Sequence, residues 1–288
     1  MIPRTFELHS PTTVSEAISV LRKMKDSKVL AGGQSLVPLM KLRLASPSNL
    51  VDIGKIHGLS YVKKKKHHLL IGSMTTHHDI ASSSVINRKC RTLSEAAGHI
   101  GDRQVRNRGT IGGAICHADP AGDIPAAVLA LEAEFKVAGP SKLRVVEAKD
   151  FFKDMFTTSL RQNEILTEVK VPLLPSRSGG TYLKLQRGTS DLATVGVAAV
   201  VTLDNSGAFE DARIGLAGVG STPIRATKAE GVLKGRKPSD GVVAEAGEKA
   251  SEMSNPISDI RGTSEYKREM VKVYVGRAIR QSLGGVLR

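Results

Sequence analysis

Two glycine pairs are the residues best placed to do chemistry: Gly32-Gly33 within Ala31-Gly32-Gly33-Gln34-Ser35-Leu36, and Gly112-Gly113 within Thr110-Ile111-Gly112-Gly113-Ala114. Glycine has no Cβ and adopts positive φ freely, so such a turn can bring several backbone N–H groups close to one ligand. Consecutive amides turned inward form an anion nest that suits a pyrophosphate. Ser35 and Thr110 place a hydroxyl beside each pair. Two such turns from distant parts of the chain can grip both phosphates of a dinucleotide. For either pair alone, a tight turn without a ligand is the plain alternative. Neither segment fits G-x-G-x-x-G or a Walker loop, so a Rossmann or P-loop reading is not supported. Gly215-Leu216-Ala217-Gly218-Val219-Gly220 fails as well, because a Ser-Thr-Pro turn follows it where a helix should.

The remaining chemistry-bearing types are sparse. His117-Ala118-Asp119-Pro120-Ala121-Gly122-Asp123 holds an imidazole and two carboxylates, with Asp123 read as the cap of a helix from Ile124 to Leu131. His77-His78-Asp79 and the pair His117 and Asp119 make poor metal sets, because adjacent histidines diverge and no i, i+4 pair completes a site. No Ser-His-Asp or Cys-His arrangement is legible. The chain has two cysteines, Cys90 and Cys116, which excludes a disulfide scaffold and a four-thiolate cluster.

Lys+Arg 42 against Asp+Glu 28 gives a formal charge of +14, which raises nucleic acid or an acidic partner as a function class. With no Trp, four Tyr and six Phe, stacking platforms for single strands are scarce. The densest basic cluster, Lys63-Lys64-Lys65-Lys66-His67-His68, lies between two short apolar runs. It reads as a hairpin with a solvated tip, or as a docking surface. The longest apolar run, Val195 to Leu203, is half a membrane span and reads as a buried strand. Met1 to Glu7 shows no signal-peptide core, so no membrane span and a cytoplasmic location are expected.

Several elements must hold these residues. Thr13 and Glu16 form a capping box for a helix whose apolar face is Val14, Ala17, Ile18, Leu21 and Met24. Lys28-Val29-Leu30 is a strand running into the first glycine turn, and Leu36 to Leu44 is a helix with Ser35 as its cap. Thr92 to Ile100 reads as a helix, Gly101 to Gly109 as a long polar loop before the second glycine turn. Leu173 to Gly180, rich in Pro and Gly, is the best domain boundary. Beyond it come strands at Tyr182 to Gln186, Thr194 to Leu203 and Ala208 to Leu216, then helices at 224–233, 241–253 and 264–283.

Ala31 to Leu36, Gln104-Val105-Arg106-Asn107-Arg108-Gly109-Thr110-Ile111-Gly112-Gly113 and His117 to Pro125 together resemble the FAD-binding subunit of the molybdenum hydroxylases. The resemblance spans nearly the whole chain and is strongest to medium chains of the carbon monoxide dehydrogenase type, with aldehyde oxidoreductases and xanthine dehydrogenases as relatives. It implies an α+β fold: a two-subdomain FAD-binding module (vanillyl-alcohol-oxidase/PCMH-like) over 1-54 and 55-175, then a C-terminal domain over 176-288 covering the flavin. It implies FAD on Ala31, Gly32, Gly33, Gln34, Ser35 and Leu36, with Thr110, Ile111, Gly112, Gly113 and Ala114 holding the pyrophosphate from the other side. His117 and Asp119 would shape the second loop, and Asp123 would reach the sugar or adenine end.

By the same resemblance, Lys184 lies near the flavin ring, where a cation would favour the anionic reduced form. A solvated strand lysine is the alternative. Ala114 stands where the family often has Asn, and Leu192 where carbon monoxide dehydrogenase medium chains carry a Tyr against the ring. The ring environment is therefore expected to differ. The implied function is electron transfer, from a 2Fe-2S small subunit serving a molybdopterin-binding large subunit, in a heterotrimer or a dimer of heterotrimers. A free-standing FAD-dependent oxidase or reductase and a basic nucleic-acid-binding protein are the other readings.

Overall fold

The computed structural model describes residues 2–286; Met1, Leu287 and Arg288, which end the first and third expected segments, lie outside the described residues. The first unit is β1 (Glu7–His9), α1 (Val14–Lys23), β2 (Ser27–Leu30), α2 (Leu36–Lys41) and β3 (Asn49–Asp52), with the strands in a parallel sheet of order β1-β3-β2. Parallel neighbours need crossovers, and α1 and α2 supply them. Thr13 Oγ1 accepts from the Glu16 N–H at 3.1 Å as the capping box requires. The Glu16 carboxylate, however, takes the Thr12 N–H (2.8 Å) rather than that of Thr13. Ala17, Ile18 and Leu21 pack on Val51 and Ile53, so the helical spacing read from sequence finds its core.

The second unit opens with β4 (Val62–Lys65) and β5 (His68–Gly72), a hairpin whose tip residue Lys66 has φ 49°. Helices α3 (His77–Ser82), α4 (Ser84–Lys89), α5 (Arg91–Gly98), α6 (Arg103–Arg108), α7 (Ile111–His117) and α8 (Asp123–Ala130) follow. Then come β6 (Glu134–Ala138), β7 (Leu143–Glu147), α9 (Ala148–Phe151), β8 (Phe152–Asp154), β9 (Thr157–Thr158) and β10 (Ile165–Pro172). Five of these strands form an antiparallel sheet of order β4-β5-β10-β6-β7, and β8 pairs with β9.

Two expectations fail here. The polar loop over 101–109 contains helix α6, capped by Asp102, whose Oδ1 accepts from the Val105 N–H at 2.8 Å. Arg106 fastens it by donating to Ile100 O (2.9 Å) and Gly101 O (3.0 Å). The second glycine turn is itself the first turn of α7, with Thr110 as cap. Glycine inside a helix costs about 1 kcal/mol relative to Ala. Packing overrides that cost, because a Cβ on Gly112 would stand 2.7 Å from both Ser73 Cβ and Ser73 O.

The third unit is a meander, β11 (Ser178–Leu185), β12 (Val195–Leu203), β13 (Phe209–Ala217) and β14 (Ile224–Arg225), covered by α10 (Thr227–Leu233), α11 (Asp240–Met253) and α12 (Ser264–Val286). The helix expected over 224–233 therefore starts three residues late, after a short edge strand. All nine residues of β12 are buried. Alternation sends Val195, Val197, Ala199 and Val201 into the core under the helices, and Ala198 and Val200 toward the second unit. Helix α8, buried along its whole length, is wedged between these units, and a Cβ on Gly215 of β13 would lie 2.1 Å from Ala126 O. Among the described residues, no helix is long and apolar enough to cross a membrane.

Candidate cofactor site

The two glycine segments, some eighty positions apart, meet. A Cβ on Gly32 would lie 2.0 Å from Arg108 O, 2.7 Å from Arg108 C and 2.8 Å from Gly109 Cα, so only glycine lets the first loop rest on the α6–α7 junction. A Cβ on Gly113 would stand 3.8 Å from Ala31 Cβ, in ordinary contact across the same seam. Gly33 has φ 74°, a conformation that costs other L-residues roughly 1–2 kcal/mol.

The two segments are not equivalent as donors. In the first loop, the amides of Gly32, Gly33, Gln34, Ser35 and Leu36 find no acceptor among the described residues. The side chain of Gln34 donates back to Gly32 O at 3.4 Å. Ser35 precedes α2 in an αR conformation and makes no side-chain cap bond, contrary to the cap expected of it, so its hydroxyl is also uncommitted. In the second segment the amides from Ile111 to Ala114 are spent, while that of Thr110 finds no acceptor among the described residues. Ile111 donates to Thr75 O (3.0 Å), Gly112 to Ser73 O (2.8 Å), and Ala114 to Thr110 O (3.0 Å). Gly113 donates to Thr110 Oγ1 (3.1 Å). The two segments expected to act as equal amide nests thus differ: helix formation and the bonds to Ser73 and Thr75 take up the amides from Ile111 to Ala114, leaving the Thr110 amide and hydroxyl as donors on that side.

Downstream residues are tied into the frame. The His117 ring packs on Phe156 with centroids 5.1 Å apart, and burial lowers its pKa. Ala118 closes α7 with φ 52°, and Asp119 Oδ1 accepts from the Ala121 N–H at 2.9 Å, shaping the loop into α8.

Asp123 is not the cap of α8. Gly122 holds that position, and Asp123 is the first helical residue. Its carboxylate turns to β11 instead: Tyr182 donates its hydroxyl to Oδ1 (2.6 Å) and Lys184 Nζ donates to Oδ2 (2.9 Å). The side chains of Lys184 and Asp123 are 1% and 4% exposed, so this is a buried ion pair, and Lys184 is not a solvated strand residue. Desolvation pushes the Asp123 pKa up, with Lys184 and the Tyr182 hydroxyl pulling against it. Paired this way, Lys184 acts on its surroundings as half of a dipole rather than as a free cation.

Sequence reading missed Tyr182, although Tyr182 and Lys184 are two apart on a strand and share one face. A Cβ on Gly196 would stand 2.3 Å from the Tyr182 hydroxyl, which explains the glycine on the neighbouring strand. Glu95 was missed too: its Oε2 accepts from the Thr181 hydroxyl (2.7 Å) and the Tyr182 N–H (2.8 Å), locking α5 to β11. Leu192 lies on the exposed loop between β11 and β12, beside the Asp191–Arg261 ion pair (2.9 Å). A hollow of about 550 Å³ lined by Arg187 to Asp191 and Ile260 opens there.

A loop of unpaired amides resting on the junction before a capped helix is an arrangement that suits a phosphate-bearing ligand. Residues 4–174 match the family described as FAD binding domain in molybdopterin dehydrogenase, and residues 180–282 match CO dehydrogenase flavoprotein C-terminal domain. The chain belongs to the FAD-binding medium chains of the molybdenum hydroxylases. It is 40% identical to the carbon monoxide dehydrogenase medium chain of Hydrogenophaga pseudoflava, covering 97% of each chain. It is 39% identical to the glyceraldehyde dehydrogenase medium chain of Sulfolobus acidocaldarius, covering 98% of this chain and 99% of the other. Its fold superposes on a solved structure of the Hydrogenophaga pseudoflava carbon monoxide dehydrogenase lacking the Mo-pyranopterin moiety, with a TM-score of 0.96, 41% identity and 99% of both chains covered.

Proposed function

We propose that this chain is the FAD-carrying electron-transfer subunit of a molybdenum-containing dehydrogenase, working between an iron–sulfur partner and an external acceptor. The observation that carries the reading is the five-amide loop Gly32–Leu36 pressed onto the Arg108–Gly109 backbone. Those amides fit a diphosphate, which needs several donors at one place and tolerates no Cβ between them. Bound there, FAD supplies a carrier that takes up and releases electrons.

The chain's own residues bind and orient. Gly32 to Leu36 hold the diphosphate, and Ser35 adds a hydroxyl donor. Thr110 Oγ1 accepts from Gly113, which leaves its own O–H to donate. Gly113 and Ala114 line the wall, and His117 and Asp119 fix the turn beneath it. Because Asp123 spends both carboxylate oxygens on Tyr182 and Lys184, the sugar or adenine contact expected of it gives way to holding Lys184, and Leu192 offers the ring no aromatic cover.

The division into 1-54, 55-175 and 176-288 is supported by three separate main sheets and by family matches that change between residues 174 and 180. Partners follow from chemistry. Two cysteines, one of them buried with its thiol pKa pushed up to about 12 by desolvation, cannot ligate a cluster, so a 2Fe-2S subunit must deliver the electrons. A molybdopterin-binding large subunit oxidises the substrate, as the relatives' designations as medium chains support. Both cysteines are free thiols, in keeping with a cytoplasmic complex.

The test is reconstitution. The purified chain should show a bound-flavin absorption band with FAD and no turnover of aldehydes or carbon monoxide without its partners. A colourless chain after reconstitution, or turnover by the chain alone, would overturn the proposal.

A further inference from the structure

The phosphate-facing surface is lopsided in charge as well as in donors. Loop 32–36 offers amide dipoles, and the opposing segment from Ile111 to Ala114 offers no free amide. Dipoles alone leave the two negative charges of a diphosphate without a counter-ion. Asp102, Asp119 and Asp123 stand in the surrounding loops and helix starts, so the acidic side chains nearby do not help.

An exposed cation, Arg108, sits at the point where the two segments touch. Arg108 is the last residue of α6, and its carbonyl is the atom against which Gly32 rests. Its side chain is exposed and has no ion-pair or hydrogen-bond partner among the described residues. Arg106, two residues earlier, is already committed to the carbonyls of Ile100 and Gly101. The planar guanidinium fork matches two phosphate oxygens at once, which an ammonium does not.

We infer that Arg108 pairs with the diphosphate oxygens and selects flavin adenine dinucleotide over flavins that lack a diphosphate, an inference that rests on the FAD reading above. It supplies from a side chain what α7 cannot supply from its backbone. Because the residue is exposed, its contribution is screened by salt.

The experiment titrates the full-length apo chain with FAD and, separately, with riboflavin, at low and at high salt, following flavin fluorescence. Arg108→Gln should weaken FAD about tenfold at low salt, flatten the salt dependence and leave riboflavin affinity unchanged. Arg108→Lys should recover part of the loss. Arg103→Gln, at the other end of α6, should behave as wild type. Wild-type affinity and salt dependence in Arg108→Gln would overturn the inference, as would an equal loss of riboflavin, which marks damage to the fold. A wild-type chain that takes up no FAD would instead overturn the cofactor reading on which it stands.

Discussion

An added methyl at position 32 has nowhere to go. In Gly32→Ala the new Cβ would lie 2.0 Å from Arg108 O and 2.8 Å from Gly109 Cα, backbone atoms that cannot rotate aside. Reaching an ordinary contact requires one segment to retreat by about 1 Å or more in a close-packed seam. The α6–α7 side is held by the His77 N–H on Gly109 O (2.9 Å) and by the Ile111 and Gly112 bonds to Thr75 and Ser73. Loop 32–36 is therefore the side that moves. Overpacking of this kind costs about 1–3 kcal/mol of stability. Hydrogen bonds to a charged group contribute about 1.5–3 kcal/mol each, so misaligning two of the five amides should raise the Kd for FAD at least about a hundredfold. The assay is titration of apo protein by flavin fluorescence, with circular dichroism confirming the fold. Gly231→Ala is the control: Gly231 lies exposed in α10 with nothing within 4 Å of its Cβ, so this change should raise the melting temperature and spare FAD. Wild-type FAD affinity in a folded Gly32→Ala protein would refute the claim that this seam positions the donors.

Two further outcomes follow from buried charge. Asp123→Asn strips the counter-charge from Lys184, whose side chain is 1% exposed, and should cost about 3–5 kcal/mol of unfolding free energy. Adding Lys184→Met should restore much of it, and a single variant as mild as a surface change would show that the pair is not buried in solution. His77 is held neutral by desolvation and by Arg106, its pKa lowered from 6.5 to about 4. The unfolded chain therefore takes up this proton first. The stability His77 contributes is complete above about pH 6.5 and is lost, to the extent of about 3 kcal/mol, as pH falls to 4. Denaturant unfolding at pH 7 and pH 4.5 should show a shallower pH slope in His77→Asn than in wild type; equal slopes would sink the assignment.

What the sequence made legible was what local chemistry or periodicity decides. Helix α1 was readable from its cap and its Ala17, Ile18 and Leu21 stripe, and β12 from nine consecutive residues that the structure buries on both faces. The hairpin at Lys66 was readable from its run of charge between two short apolar segments. Helix α6 was not, because none of its residues is buried and it is held by a cap and two arginine tethers. Helix α7 was hidden for the opposite reason: two glycines argue against a helix, and the Ser73 backbone that demands them lies far away in sequence. Asp123 was placed one residue off as a cap, since its real partners are 59 and 61 positions away.

The same asymmetry separates the glycines by what they serve. Gly112 and Gly109 face inward, where added Cβ atoms would meet Ser73 and the buried His77 ring, so they answer to packing. Gly32 answers to the approach of two segments, and Gly33 to a positive φ that turns the chain between strand and helix. The proposed dinucleotide site has most of its free backbone donors on one short loop, which borrows rigidity from the other side. Donors on a loop are mobile unless something stiff lies behind them, and a helix with every first-turn amide already bonded is such a backing. The spent amides of α7 are then a condition for the free amides of loop 32–36 to stay aligned: releasing the second set to serve the ligand would loosen the wall that holds the first.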